Sequence, residues 1–132
     1  MNLILSSYAD NAKASEIPIT ISVMATDFSC FQITDLCSLL SNALDNAIRA
    51  CSQIPYTEGR YIHLKVYEKN EQLCINLANS YGEQPVFENN IPISQRSGHG
   101  YGVQSIISVI DKYQGIYGFF AENGEFRFQA SL

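Results

Sequence analysis

The sequence predicts an α/β (α+β) two-layer sandwich, in which a mixed, mostly antiparallel sheet carries its helices on one face. Three observations lead there. Segments with apolar residues at three/four spacing alternate with segments of period two, so helices and strands both recur. Four of the strand-like segments fall in adjacent pairs across short polar turns, the pattern of antiparallel hairpins. The order α-β-α-β-β-loop-α-β-β runs through one chain of 132 residues with no repeat and no dividing linker.

Residues 2–15 read as a helix, with Leu3, Ile4 and Tyr8 apolar and Ala12 and Ala14 following. Residues 17–23 alternate β-branched and polar side chains, and Pro18 near their start suits an edge or entry position. A connection over 24–33 leads to a long helix over 35–50, which Thr34 or Asp35 can cap and Pro55 ends. That helix gathers Ile33, Leu36, Leu40, Ala43, Leu44, Ala47 and Ile48 on one broad face. Residues 61–67 and 73–78 form a hairpin, on which His63 alternates outward with Lys65 and reads as solvated.

From 79 to 98 the periodicity fails. Gly82, Pro85, Asn89-Asn90 and Pro92 punctuate a lid-like loop, expected to be mobile over 81–95 without ligand. Val103, Ile106, Ile107, Ile110 and Tyr113 then return to helical spacing, stopped by Gly115. Residues 116–121 and 126–130 close the chain as a hairpin about Glu122-Asn-Gly124.

Hydrophobic residues make up 46% and charged residues 16%, a globular balance without disordered bias. The net charge of −5 argues against a general nucleic-acid or anionic-membrane surface. The apolar runs are too short to span a bilayer, and the first residues lack a signal peptide's charged n-region. Cys30, Cys37, Cys51 and Cys74 show no metal spacing; the last three fit buried thiols in a reducing compartment. The chain opens directly into a helix, as a piece cut from a longer protein would.

Two motifs carry chemistry. On the long helix Asn42, Asn46 and Arg49 stand at i, i+4 and i+7 and stack along one edge. Asparagine is a poor helix-interior residue, so two of them a turn apart need a reason or form a solvated polar edge. An amide oxygen can ligate a hard cation, and arginine can meet a phosphate. The second motif is Gly98-His99-Gly100-Tyr101-Gly102, which opens a helix. Glycines let backbone approach a ligand, and a helix N-terminus offers free N–H groups to phosphate. It fits neither a Walker loop, lacking Gly-Lys-Ser/Thr, nor a dinucleotide fingerprint, lacking a strand directly before it.

Together, Asn-x-x-x-Asn-Ala-x-Arg and the later Gly-x-Gly-x-Gly resemble the N-box and second glycine box of the GHKL (Bergerat-fold) superfamily. Within it, the chain most resembles the ATP-binding catalytic domain of bacterial sensor histidine kinases, in particular the quorum-sensing branch with Gly-His-Gly-x-Gly. The resemblance covers nearly all of the chain and implies one catalytic domain over 1–132, with an ATP-lid-like loop over 79–98. It implies ATP and Mg²⁺ as cofactors, with Asn46 on Mg²⁺, Arg49 on phosphate and Asn42 lining the pocket. Gly98, Gly100 and Gly102, with His99 and Tyr101 between them, match the lid hinge and phosphate cradle.

Two departures from the family pattern shape the expected function. Hydrolytic branches carry a water-activating Glu where this chain has Asn42, and a neutral amide is no general base. The resemblance therefore implies phosphoryl transfer with little ATPase turnover. Asp45 lies about 100° round the helix from Asn46 and is not promoted to base. The family's Asp-x-Gly-x-Gly box falls on Asn79 to Glu83, where Asn79 replaces the adenine-binding Asp and the glycines miss register.

Neither His63 nor His99 suits a phosphoacceptor, so the histidine-bearing dimerisation domain of a parent kinase is the implied partner. A response regulator follows indirectly. No nucleic acid and no membrane contact are expected, and the compartment is cytoplasmic. The alternative is a regulatory binding module of the same fold, anti-sigma-like or deficient in nucleotide binding, acting through protein–protein contact.

Overall fold

The structure is a computed structural model that describes residues 1–93 and 101–132, without the side chain of Tyr101. Its elements run α1 (Asn2–Ala14), β1 (Ile19–Val23), α2 (Ile33–Ser52), β2 (Ile62–Lys69), β3 (Gln72–Ser80), β4 (Val86–Glu88), β5 (Ile91–Ile93), α3 (Tyr101–Lys112), β6 (Ile116–Glu122) and β7 (Glu125–Ser131). Five strands form one sheet in the order β1-β2-β3-β7-β6. Only the β1–β2 pair is parallel, and β1 occupies an edge, where Pro18 costs no ladder bond on the free side.

The sheet's two faces follow from its period of two. On β2 and β3, Ile62, Leu64, Val66, Leu73, Ile75 and Leu77 are buried, and between them His63 and Lys65 face out, as the alternation requires. The core is closed from the other side by α2 and α3. On α2 the buried stripe is Leu36, Leu39, Leu40, Ala43, Leu44, Ala47 and Cys51; on α3 it includes Ile106, Val109 and Ile110. Among the described residues, no helix is long and apolar enough to cross a membrane.

Several sequence expectations need correction. The long helix begins at Ile33 with Gln32 as its N-cap residue, so neither Thr34 nor Asp35 caps it; Asp35 is drawn instead to α3. Ile33, the first residue of the helix, is half exposed rather than part of its buried face. Cys30 is exposed, Cys51 is buried, and Cys37 and Cys74 are half-buried; all four are free.

The stretch from 79 onward is also not a plain loop. β3 extends through Asn79 and Ser80, and residues 86–93 make a small hairpin, β4–β5. Its turn residues Asn89 and Asn90 have φ of 54° and 65°, the left-handed pair that a two-residue hairpin turn uses. The same geometry turns β2 into β3 at Asn70-Glu71 and β6 into β7 at Asn123-Gly124.

Candidate nucleotide site on the α2 edge

Burial of the leucine stripe fixes the rotation of α2, and this decides what its polar edge meets. Asn42 donates from Nδ2 to the Ser38 carbonyl, 2.8 Å away on the preceding turn. Its Oδ1 is left to face α3. There Gly102 comes so near that a Cβ on it would lie 3.3 Å from Asn42 Oδ1 and 3.7 Å from Asn46 Oδ1. A Cβ there would crowd Asn42 Oδ1 by a few tenths of an ångström and come into ordinary contact with Asn46 Oδ1, and a larger side chain would press further. Arg49 donates from Nη1 to Asn46 Oδ1 at 3.4 Å and is otherwise exposed, its charge directed to solvent beside the asparagines.

The structure thus brings together Asn42, Asn46, Arg49 and Gly102. Asp45 is turned elsewhere. It lies beside Tyr8 of α1, whose phenol is pushed up first by burial and then by the nearness of this carboxylate. Gly98, His99 and Gly100 lie outside the described residues; Tyr101 opens α3.

Asn79 sits at the end of β3, on the helix-facing side, opposite Ile62 on one neighbour and Phe126 on the other. Only 1% of it is exposed, and its Nδ2 donates to the Ser80 carbonyl at 2.9 Å. It is linked to α2 through its neighbours. The Cys51 thiol, on the last turn of α2, lies 3.4 Å from the Ser80 carbonyl and 3.5 Å from the Ser80 hydroxyl. Phe87 of the small hairpin stacks on Phe126 with centroids 6.3 Å apart, which brings that hairpin beside the Asn79 end of the sheet.

Gly82, which in the sequence reads only as loop punctuation, has a structural reason. A Cβ there would lie 2.7 Å from the Gln53 backbone and 2.9 Å from the Ile54 nitrogen, so only glycine lets the chain leaving β3 pass the end of α2. Its signal was present: it is the only glycine between Gly59 and Gly98, directly after a strand.

The donor set on the α2 edge is neutral amide oxygen plus one guanidinium. Among the described residues no three His, Cys, Asp or Glu side chains gather as a metal cage. Such an edge fits a hard cation that arrives with anionic ligands and keeps its waters, as Mg²⁺ does with phosphates. By contrast, the concavity of about 560 Å³ on the outer face of the sheet, lined by Tyr61, Phe120, Glu125 and Arg127 among others, has paired polar groups. Glu125 accepts from the Tyr61 hydroxyl and from Arg127 Nε, each at 2.7 Å. Burial and that carboxylate push the Tyr61 phenol up to about 12, while the two donors hold Glu125 below the usual carboxylate range.

The family described as the GHKL domain matches residues 31–132, which contain the Asn edge, Asn79 and the glycine-rich run. A search of curated proteins found no match. Among solved structures, the catalytic domain of histidine kinase ThkA superposes with a TM-score of 0.75 at 15% identity, covering 99% of this chain and 88% of that one. The mycobacterial sensor histidine kinase MprB gives 0.67 at 15% identity, covering 100% and 94%. The Acinetobacter baumannii histidine kinase AdeS gives 0.71 at 12% identity, covering 99% of this chain and 61% of that one. At such identities the likeness is one of fold, and with the family match over most of its length it shows that this chain belongs to the GHKL domain family.

Proposed function

We propose that this chain is the ATP-binding catalytic domain of a sensor histidine kinase and part of a longer protein. Its task is transfer of the ATP γ-phosphoryl group to a histidine on a separate dimerisation domain. The supporting observation is the approach of Gly102 to Asn42 and Asn46, which keeps side-chain bulk away from two amide oxygens beside an arginine. Mg²⁺ would supply charge neutralisation of the phosphates when bound. In this reading the Asn46 oxygen is its protein ligand, and Arg49 adds charge against the phosphates. Asn79, its Nδ2 engaged by Ser80, offers Oδ1 to an exocyclic amine of the base. Gly98, His99, Gly100 and Tyr101 join the nucleotide site on the strength of their sequence alone.

Catalysis in such a site is positioning and electrostatics, and the attacking nucleophile belongs to the partner domain. Asn42 cannot take a proton from water, so hydrolysis by the isolated domain is slow. The test is transfer from γ-labelled ATP to the parent kinase's histidine domain, with a His→Ala partner as control. Label lost in that control supports the reading; robust ATPase turnover by the lone domain contradicts it.

A second reading, a binding module that no longer takes nucleotide, is favoured by two observations. Asn79 is buried, and the register of its glycine box is shifted. Nucleotide binding without any transfer would support a regulatory module, as would failure to bind nucleotide at all.

A further inference from the structure

The α2–α3 pair runs antiparallel, packs through the core and, among the described residues, also meets at two polar places. One is the contact of Gly102 with Asn42 and Asn46, midway along α2. The other joins the C-terminal end of α3 to the first turn of α2. Asp35, in the first turn of α2, accepts from Lys112 Nζ at 2.8 Å and from the Tyr113 hydroxyl. That hydroxyl itself accepts from the Gln32 N–H at 2.9 Å, and Lys112 also donates to Gln32 Oε1 at 3.2 Å. The Tyr113 ring meets Phe31 edge-on, with centroids 5.0 Å apart. Gln32 makes no side-chain cap bond of its own; the Tyr113 hydroxyl instead satisfies the Gln32 N–H, the group that the third helical residue's side chain meets in a capping box.

Tyr113 lies eleven residues after Gly102, about 16 Å of helix at 1.5 Å per residue. On α2, Asp35 precedes Asn42 by seven residues and Asn46 by eleven, about 10 and 16 Å. Over such lengths a packed helix moves as a rod. Fixing the last turn of α3 on Asp35 therefore sets how far its first turn reaches along the asparagine edge.

Resting on the nucleotide reading above, the geometry points to Asp35, Lys112 and Tyr113 as positioning residues for the phosphate end of the nucleotide. They act through the placement of Gly102 and touch no ligand. Asn79 belongs to the sheet, so the base end does not depend on this clasp. ATP and adenosine thus respond differently when the clasp is opened.

The experiment uses Tyr113→Phe, which keeps the ring against Phe31 and removes the hydroxyl, together with Asp35→Asn and Lys112→Arg. Titrations with Mg-ATP and with adenosine are compared by calorimetry. Tyr113→Phe and Asp35→Asn weaken ATP by about five- to tenfold and leave adenosine within about twofold, while Lys112→Arg stays near wild type. Equal loss for both ligands, or no loss, overturns the proposal.

Amide spectra of the ligand-free proteins give a second readout. In Tyr113→Phe the Gly102 backbone signal and the Asn42 and Asn46 side-chain signals shift, while the Asn79 side-chain signal stays. Unmoved Gly102 and asparagine signals overturn the clasp whether or not nucleotide binds. Wild-type protein that binds neither ligand refutes the nucleotide reading, and the spectra then decide the clasp alone.

Discussion

The two ends of α3 meet α2 in opposite ways. At the C-terminal end the space is filled: Lys112, Tyr113, Asp35 and Gln32 form a closed set of hydrogen bonds backed by Phe31. At the N-terminal end a glycine faces two asparagine side chains, so close that a Cβ would crowd Asn42 Oδ1. The contrast separates an end held by side-chain hydrogen bonds from an end where only bare backbone leaves the amide oxygens uncrowded.

Crowding that close approach is the strongest way to break the contrast. Gly102→Leu drives a side chain into Asn42 and Asn46, and ATP affinity is expected to fall by about 100-fold or more, about 2.8 kcal/mol. Calorimetric titration checks this, and unfolding by heat should shift little, because the end of a helix gives way more easily than a core. A Gly102→Leu variant that binds ATP like wild type would remove the meaning assigned to that approach.

Asn46→Ala comes next. Loss of one oxygen ligand should weaken binding about tenfold in Mg²⁺, about 1.4 kcal/mol, and much less in EDTA. Titrations in the two buffers separate a metal contact from a base contact. Arg49→Ala should have a smaller effect, about threefold for ATP and none for adenosine, on the scale of an exposed ion pair.

The smallest effect belongs to the closed end and depends on pH. The hydrogen bonds from Lys112 and then Tyr113 hold the Asp35 carboxyl below its ordinary range. A carboxyl lowered on folding contributes stability above its unfolded value, about 3.9, and loses it as pH falls through the folded value. Melting curves of wild type and Asp35→Asn should therefore be separated near pH 6 and converge below about pH 4. A gap that widens on acidification would reverse this assignment.

How much of this could be read in advance differs between helix faces and strand ends. The leucine stripe of α2 and the Asn42–Asn46–Arg49 edge follow from helical spacing, and a period of 3.6 residues fixes both at once. The β4–β5 hairpin was missed because its strands are three residues each and carry Pro92. Yet Asn89-Asn90, with two residues suited to positive φ, held the turn signal. Asp35 reads as a cap from local rules, and its true partner, 77 residues away, has no local trace. Likewise Gly82 is legible as a glycine after a strand, but what requires it is the backbone of α2, which only the fold brings near.

In the reading proposed above, the asparagine edge and Gly102 hold a metal-bound nucleotide. Titration of the wild-type chain with ATP, in Mg²⁺ and again in EDTA, tests it most directly. The account predicts tighter binding in Mg²⁺, and at 100 times the dissociation constant a stabilisation of about 2.7 kcal/mol against unfolding. Equal affinity in the two buffers, or no heat and no stabilisation at millimolar Mg-ATP, would contradict it.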